Sequence, residues 1–139
     1  MASVGTPSEA QLGNAFDLIE QRLRPDAILV YGSLVAGRLT PDSDIDIALL
    51  LGRRLLDAFE LSRLRTDLEA LLGRSVDLVN LDTASPILAM EVLRRYRIGR
   101  ARRRDAVDEL VARTLTAYFD LKRVRRPIED AIRQRALAR

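Results

Sequence analysis

Three short apolar runs limit the folds open to these residues. They are AILVY at 27–31, an Ile- and Leu-rich run at 45–51, and a third at 75–81 containing VDLVNL. Each has the length and composition of a buried strand. The stretches between them carry apolar residues at helical spacing. Residues 8–23 predict a helix with Ser8 as N-cap and Leu12, Phe16, Ile19 and Leu23 on one face. Residues 55–72 predict a second, with Leu56, Phe59, Leu61, Leu64, Leu68, Leu71 and Leu72 mostly inward and Gly73 as its stop. Ser85-Pro86 has the N-cap and N1 chemistry of a third, running to about Tyr96. RIGRARRRD at 97–105 reads as a basic connector, or as a short strand followed by a loop. A long final helix starts near Asp105 and passes Leu121, and Pro127 is expected to break or kink it before a last segment ending in RALAR. Strands alternating with helices predict one α/β (α+β) domain, a small mixed sheet flanked by helices with a long C-terminal helix.

The second run opens on two acids, Asp44 and Asp46. Side chains at i and i+2 of a strand share a face, so these carboxylates project together while Ile45, Ile47, Leu49 and Leu51 project into a core. Adjacent carboxylates repel, and hard divalent cations remove that cost, because Mg²⁺ prefers carboxylate and phosphate oxygens. Two such ions, roughly 3.5–4 Å apart, clamp the attacking and leaving oxygens of a displacement. Asp77, flanked by Val76, Leu78 and Leu81, is the candidate third ligand, since a charge inside a buried strand needs a reason. Gly32 and Ser33 follow the first run. A Gly at a strand end lets backbone approach a ligand, and Ser33 offers a hydroxyl and an N–H at the start of a short helical turn, where a phosphate binds. Thr40-Pro41-Asp42-Ser43 is turn chemistry, with Ser43 also a candidate nucleotide contact. Gly32 and Gly37 have P-loop spacing, but Arg38-Leu39 stand where Lys-Ser/Thr is required. No G-x-G-x-x-G is present, which argues against a dinucleotide site.

Composition narrows the chemistry further. The 139 residues contain no Cys and no His. Disulfides, thiolate metal sites, His bases and His-ligated zinc are therefore excluded, leaving carboxylates, hydroxyls, Arg and metals to act. There is no apolar run long enough to span a membrane, and MASVGTPSEA lacks the pattern of a secretory leader, so a cytoplasmic protein is expected. Charge is unevenly spread. Residues 1–96 hold ten Arg against fourteen Asp and Glu, whereas 97–139 hold thirteen Arg and Lys against six. An acidic half and a basic half imply two different partners. Aromatic residues are 4% of the chain and Trp is absent, so base-stacking platforms are missing and nucleic acid is not the expected ligand.

Gly-Ser, ten residues, then Asp-Ile-Asp in an apolar strand and a lone Asp in a later one resembles the nucleotidyltransferase signature of the DNA polymerase β superfamily. RSVDLVNLDTASPILAMEVLRR and LTAYFDLKRVRRPIEDAI are similar to the minimal nucleotidyltransferases of the MntA type, the antitoxins of HEPN/MNT toxin–antitoxin pairs. The resemblance spans about residues 10–130. It departs at Ala36, where many members carry Arg, and Arg38 is the substitute phosphate contact.

The resemblance implies a polymerase β-like fold in a single domain over 1–139, with a core at about 8–96 and a helical region at about 104–139. It implies two Mg²⁺ ions on Asp44, Asp46 and Asp77, with ATP held by Gly32, Ser33, Arg38 and Ser43. It further implies transfer of AMP to a tyrosine of a HEPN-domain RNase toxin, in a hetero-oligomer with that toxin. Two alternatives stay open: a nucleotidyltransferase acting on small molecules such as aminoglycosides, and an antitoxin that neutralises by binding alone.

Overall fold

The computed structural model describes residues 5–52 and 54–137. The first residues of MASVGTPSEA and the last two of RALAR lie outside them. The order of elements is α1 (Glu9–Leu23), β1 (Ala27–Tyr31), α2 (Ser33–Ala36), β2 (Ile45–Leu50), α3 (Ala58–Leu72), β3 (Val76–Asn80), α4 (Pro86–Arg94), β4 (Tyr96–Ala101) and α5 (Arg104–Leu137). The predicted caps are in place. Ser8 and Gln11 form a reciprocal capping box on α1, Ser85 caps α4 with Pro86 in its first turn, and Gly73 ends α3 in the left-handed conformation.

The sheet is mixed, in the order β3-β2-β1-β4. β1 is antiparallel to both neighbours, and β2 runs parallel to β3. Both faces of the central pair are buried, which explains why β1 and β2 read as near-continuous apolar runs. Ile28, Val30, Ile45, Ile47 and Leu49 pack under α1 and α3. Ala27, Leu29, Tyr31, Ala48 and Leu50 pack under α4 and the start of α5. Among the described residues no helix is long and apolar enough to cross a membrane.

RIGRARRRD takes the strand reading, its first part being β4, an edge strand on β1, while three other local expectations need correction. Gly99 falls in the register shift of that pairing, and Phe16 lies over it, a packing open only to a residue without a side chain. α3 starts at Ala58 behind the N-cap Asp57. Only Leu64, Leu68 and Leu72 of the expected inward set are buried on it, while Phe59 and Leu71 face solvent at 67% and 42% exposure. One sheet face accepts only a narrow stripe of a helix lying beside another. Finally, α5 runs unbroken through Pro127. Proline removes a single intrahelical hydrogen bond, and here the helix is solvent-exposed, so water can satisfy the freed carbonyl.

The Arg run 100–104 is partly structural. Arg100 bonds Asp17 and Glu20 of α1. Asp26, 7% exposed, accepts the backbone N–H groups of Arg102 and Arg103 and the Arg102 guanidinium at 2.9 Å. That knot fixes where α5 leaves the sheet.

The Phe16 contact is testable. A Cβ on Gly99 would lie 2.7 Å from the Phe16 ring tip. Gly99→Ala should destabilise the domain by about 1–3 kcal/mol. Phe16→Leu in the same chain should recover part of that loss in a double-mutant cycle of denaturant midpoints. Simple additivity of the two substitutions would show that they do not touch.

Candidate functional site

Two-sided burial leaves an acid few places on this sheet, and the candidate carboxylates occupy its end. Asp46, the second residue of β2, sits in the last rung that β2 shares with β1, opposite Tyr31, and opposite Asp77 on β3. Residues opposed in register share a face, so Tyr31, Asp46 and Asp77 stand on the side of the sheet that carries α4 and α5. Asp44 lies two residues earlier, exposed, ahead of β2. Asp77 is also exposed, because β3 is an edge strand. The expectation that its charge is a buried anomaly is therefore replaced by a positional one: it lies directly beside Asp46.

The electrostatics follow from that placement. The Asp46 carboxyl is pushed up to about 6, first by burial and then by the charges of Asp77 and Asp44. The Tyr31 phenol is held above its ordinary range by burial, then by Asp46, Asp77 and Glu91 of α4. Tyr31 and Glu91 are site neighbours that sequence reasoning missed. Only the register shows that Tyr31 opposes Asp46, and only the packing of α4 brings Glu91 near.

Gly32 ends β1 at φ +72°, and a Cβ there would fall well inside the contact distance of Asp46 Oδ2. The glycine thus serves two needs at once, a left-handed turn and backbone in contact with a carboxylate. α2 follows with no side-chain cap at its amino end, so the first N–H groups of that turn are left uncapped by protein. Ser33 is half-buried at that end, and Arg38 is exposed just past the left-handed Gly37. Ser43 is committed to its turn: its hydroxyl accepts the Thr40 N–H at 2.9 Å and bonds the Thr40 hydroxyl at 2.9 Å. Arg74, 9% exposed, holds the same turn by donating to the carbonyls of Thr40 and Ser43 at 2.6 and 3.2 Å. The Ile45 N–H donates to the carbonyl of Ser75, next in the chain. Arg74 therefore positions the segment that leads into Asp44, a role its sequence neighbourhood did not advertise.

The donor set fits hard cations in kind: carboxylate oxygens under mutual repulsion, with no softer ligand among them. Among the described residues, no three acidic side chains already stand close enough together to cage an ion. Two clefts among the described residues lie elsewhere. One, of about 860 Å³, is near Arg24 and Arg100, and the other, of about 1230 Å³, runs along the second half of α5. The carboxylates line neither, and sit on an open sheet end instead.

The sequence model of the family described as Polymerase beta, Nucleotidyltransferase matches residues 14–98, which hold Gly32, Asp44, Asp46 and Asp77. Among solved structures, the fold is similar to a chain of a toxin–antitoxin crystal structure with AMP-PNP. Its TM-score is 0.77 at 27% identity, over 90% of this chain and 98% of that one. A chain of the toxin–antitoxin MntA–HepT gives 0.74 at 25% identity, over 90% and 98%. A complex of tri-AMPylated Shewanella oneidensis HEPN toxin with MNT antitoxin gives 0.75 at 24% identity, over 89% and 97%, a likeness of fold. No curated protein matches the chain.

Asp46 carries a sign-definite prediction. Its folded pKa is raised above the unfolded value, so its ionisation opposes folding. The penalty is absent below about pH 4, grows between about 4 and 6, and is complete above that. Asp46→Asn should then raise stability at pH 7.5 in divalent-free buffer. Discounted for solvent screening, the gain is about 1 kcal/mol, a rise in Tm of about 4 °C. The difference should vanish by about pH 4. Equal melting of the two proteins at pH 7.5 would show that Asp46 carries no such strain.

Proposed function

This chain belongs to the polymerase β nucleotidyltransferase family, and from that premise we propose that it is the antitoxin of a HEPN/MNT pair, transferring AMP from ATP to a tyrosine of its HEPN partner. One observation carries the reading: Asp46 lies in register with Asp77 and in contact with the Gly32 turn, at an open end of the sheet. The sequence resemblance to MntA-type proteins and the similarity to a toxin–antitoxin chain solved with AMP-PNP support the choice of nucleotide and partner.

Asp44, Asp46 and Asp77 are the residues that would hold two Mg²⁺ ions, which when bound neutralise the triphosphate and polarise the reacting phosphoryl group. The uncapped N–H groups at Gly32 and Ser33 cradle the β- and γ-phosphates, with the Ser33 hydroxyl as a further donor. Arg38, exposed beside that turn, reaches the phosphates from solvent. Burial and the neighbouring acids favour the protonated Tyr31 phenol. The attacking group is brought by the acceptor. Its hydroxyl oxygen bonds the α-phosphorus, the bond from that phosphorus to the bridging oxygen breaks, and pyrophosphate leaves. Asp77 takes the hydroxyl proton. Asp77 is the outermost of the in-register pair on an edge strand, where a side chain of another protein has access. An open site of this kind suits a macromolecular acceptor better than a small molecule, which needs enclosing walls.

Co-expression with the protein of the adjacent gene, followed by intact mass with and without ATP and Mg²⁺, tests the proposal. The expected result is a nucleotide-dependent gain of AMP-sized steps on the partner. Complex formation without any mass gain would favour neutralisation by binding alone.

Asp44→Asn or Asp46→Asn should abolish the gain with the fold intact. Asp77→Ala should slow transfer by about 10²–10⁴-fold while ATP·Mg²⁺ still binds. Near-native transfer by either Asn variant sinks the metal-dependent reading. Loss of both nucleotide binding and folding in Asp77→Ala would make Asp77 structural.

A further inference from the structure

We propose that the second half of α5 is the surface that docks the partner protein, and that it receives an acidic amphipathic helix. This deepens the reading above and rests on it, since it presumes a protein partner. Along α5, Val107, Leu110, Thr114, Ala117, Leu121, Val124, Ile128 and Ala131 recur at alternating intervals of three and four. That is one continuous seam on one helix face. Its burial fades along its length. Val107, Leu110 and Thr114 are 2%, 1% and 4% exposed against the sheet and α4. Ala117 and Leu121 are half-buried. Val124 and Ile128 are 66% and 60% exposed, with Ile132 beside them at 63%. The domain ends, and the seam does not.

Residues 122–137 are exposed throughout, yet they hold helix. A free helix of this length is marginal in water, and its apolar stripe gains nothing from solvent. A covering helix that continues the packing of the first half removes both costs.

Charge selects the occupant. Residues 119–137 carry six Arg and Lys against three Asp and Glu. Arg125 pairs with Glu129 and Arg133 with Asp130. Among the described residues Lys122, Arg123, Arg126 and Arg135 make no ion pair. A second copy of this helix would bring the same excess of cations against it. An acidic helix would bring Glu or Asp to Arg125, beside the seam, and to Arg135, the next seam position after Ala131.

The test uses the full-length chain and, as probe, the purified HEPN-domain protein of the adjacent gene, with binding followed kinetically at several salt concentrations. Val124→Glu/Ile128→Glu should bind roughly thirtyfold more weakly or worse, with unchanged thermal melting. Arg125→Glu/Arg135→Glu should slow association and flatten its salt dependence. Asp130→Ser, on the opposite face, should bind within about twofold of wild type. Native-like binding by the Val124/Ile128 variant overturns the docking surface while leaving the proposed activity standing. A wild-type chain that fails to bind the probe overturns the partner reading beneath it. A wild-type homodimer that the same pair of substitutions dissociates would assign the seam to a second copy and overturn the acidic partner.

Discussion

A sheet covered on both faces sets the terms for everything else in this molecule. With α1 and α3 on one side and α4 and α5 on the other, the interior rungs of β1 and β2 accept only apolar side chains. An ionised carboxylate there would lose its hydration without compensation. The acids are therefore displaced to the end of the sheet, where β1 turns into Gly32 and β2 begins. Confinement to one rung puts Asp46 against Asp77, and burial first, then the charges of Asp77 and Asp44, raise the Asp46 pKa. The same burial that stabilises the fold raises the cost of ionising Asp46.

The supports of the rung come from far apart in the chain. Arg74 ties down the 40–43 turn from beyond α3, and the Ser75 carbonyl receives the first amide of β2. Glu91 adds its charge from α4. Gly32 permits the backbone to close on Asp46. The site opens to solvent at the sheet edge through Asp77.

α5 joins two roles on one helix. Its first half is part of the domain, anchored by the Asp26 knot with Arg102 and Arg103. Its second half projects with the same face uncovered. Pro127 does not interrupt it, because an exposed helix can leave one carbonyl to water. The acidic half and the basic half of the sequence thus correspond to different jobs: the first gathers the carboxylates, and much of the second is solvent-facing helix.

Local pattern was enough for the caps at Ser8, Ser85 and Gly73, for the face of α1, for the strands β1 to β3 and for the pairing of Asp44 with Asp46. These depend on a few neighbouring residues and on backbone period. The resemblance to nucleotidyltransferases was readable for the same reason, since its residues lie in short spans. What the tertiary structure decided depends on residues distant in sequence. Register opposed Tyr31 to Asp46 and set Asp77 on an exposed edge. The approach of Phe16 made Gly99 the bulge of β4. The folding of Arg74 over the 40–43 turn committed Ser43 to that turn. Residue type and spacing along a strand are local properties, so the candidate carboxylates are legible in the chain alone. Which of them share a rung, and which half of α5 is covered, comes from the fold, because opposition across a sheet and burial against a helix are set by chain segments that no local pattern brings together.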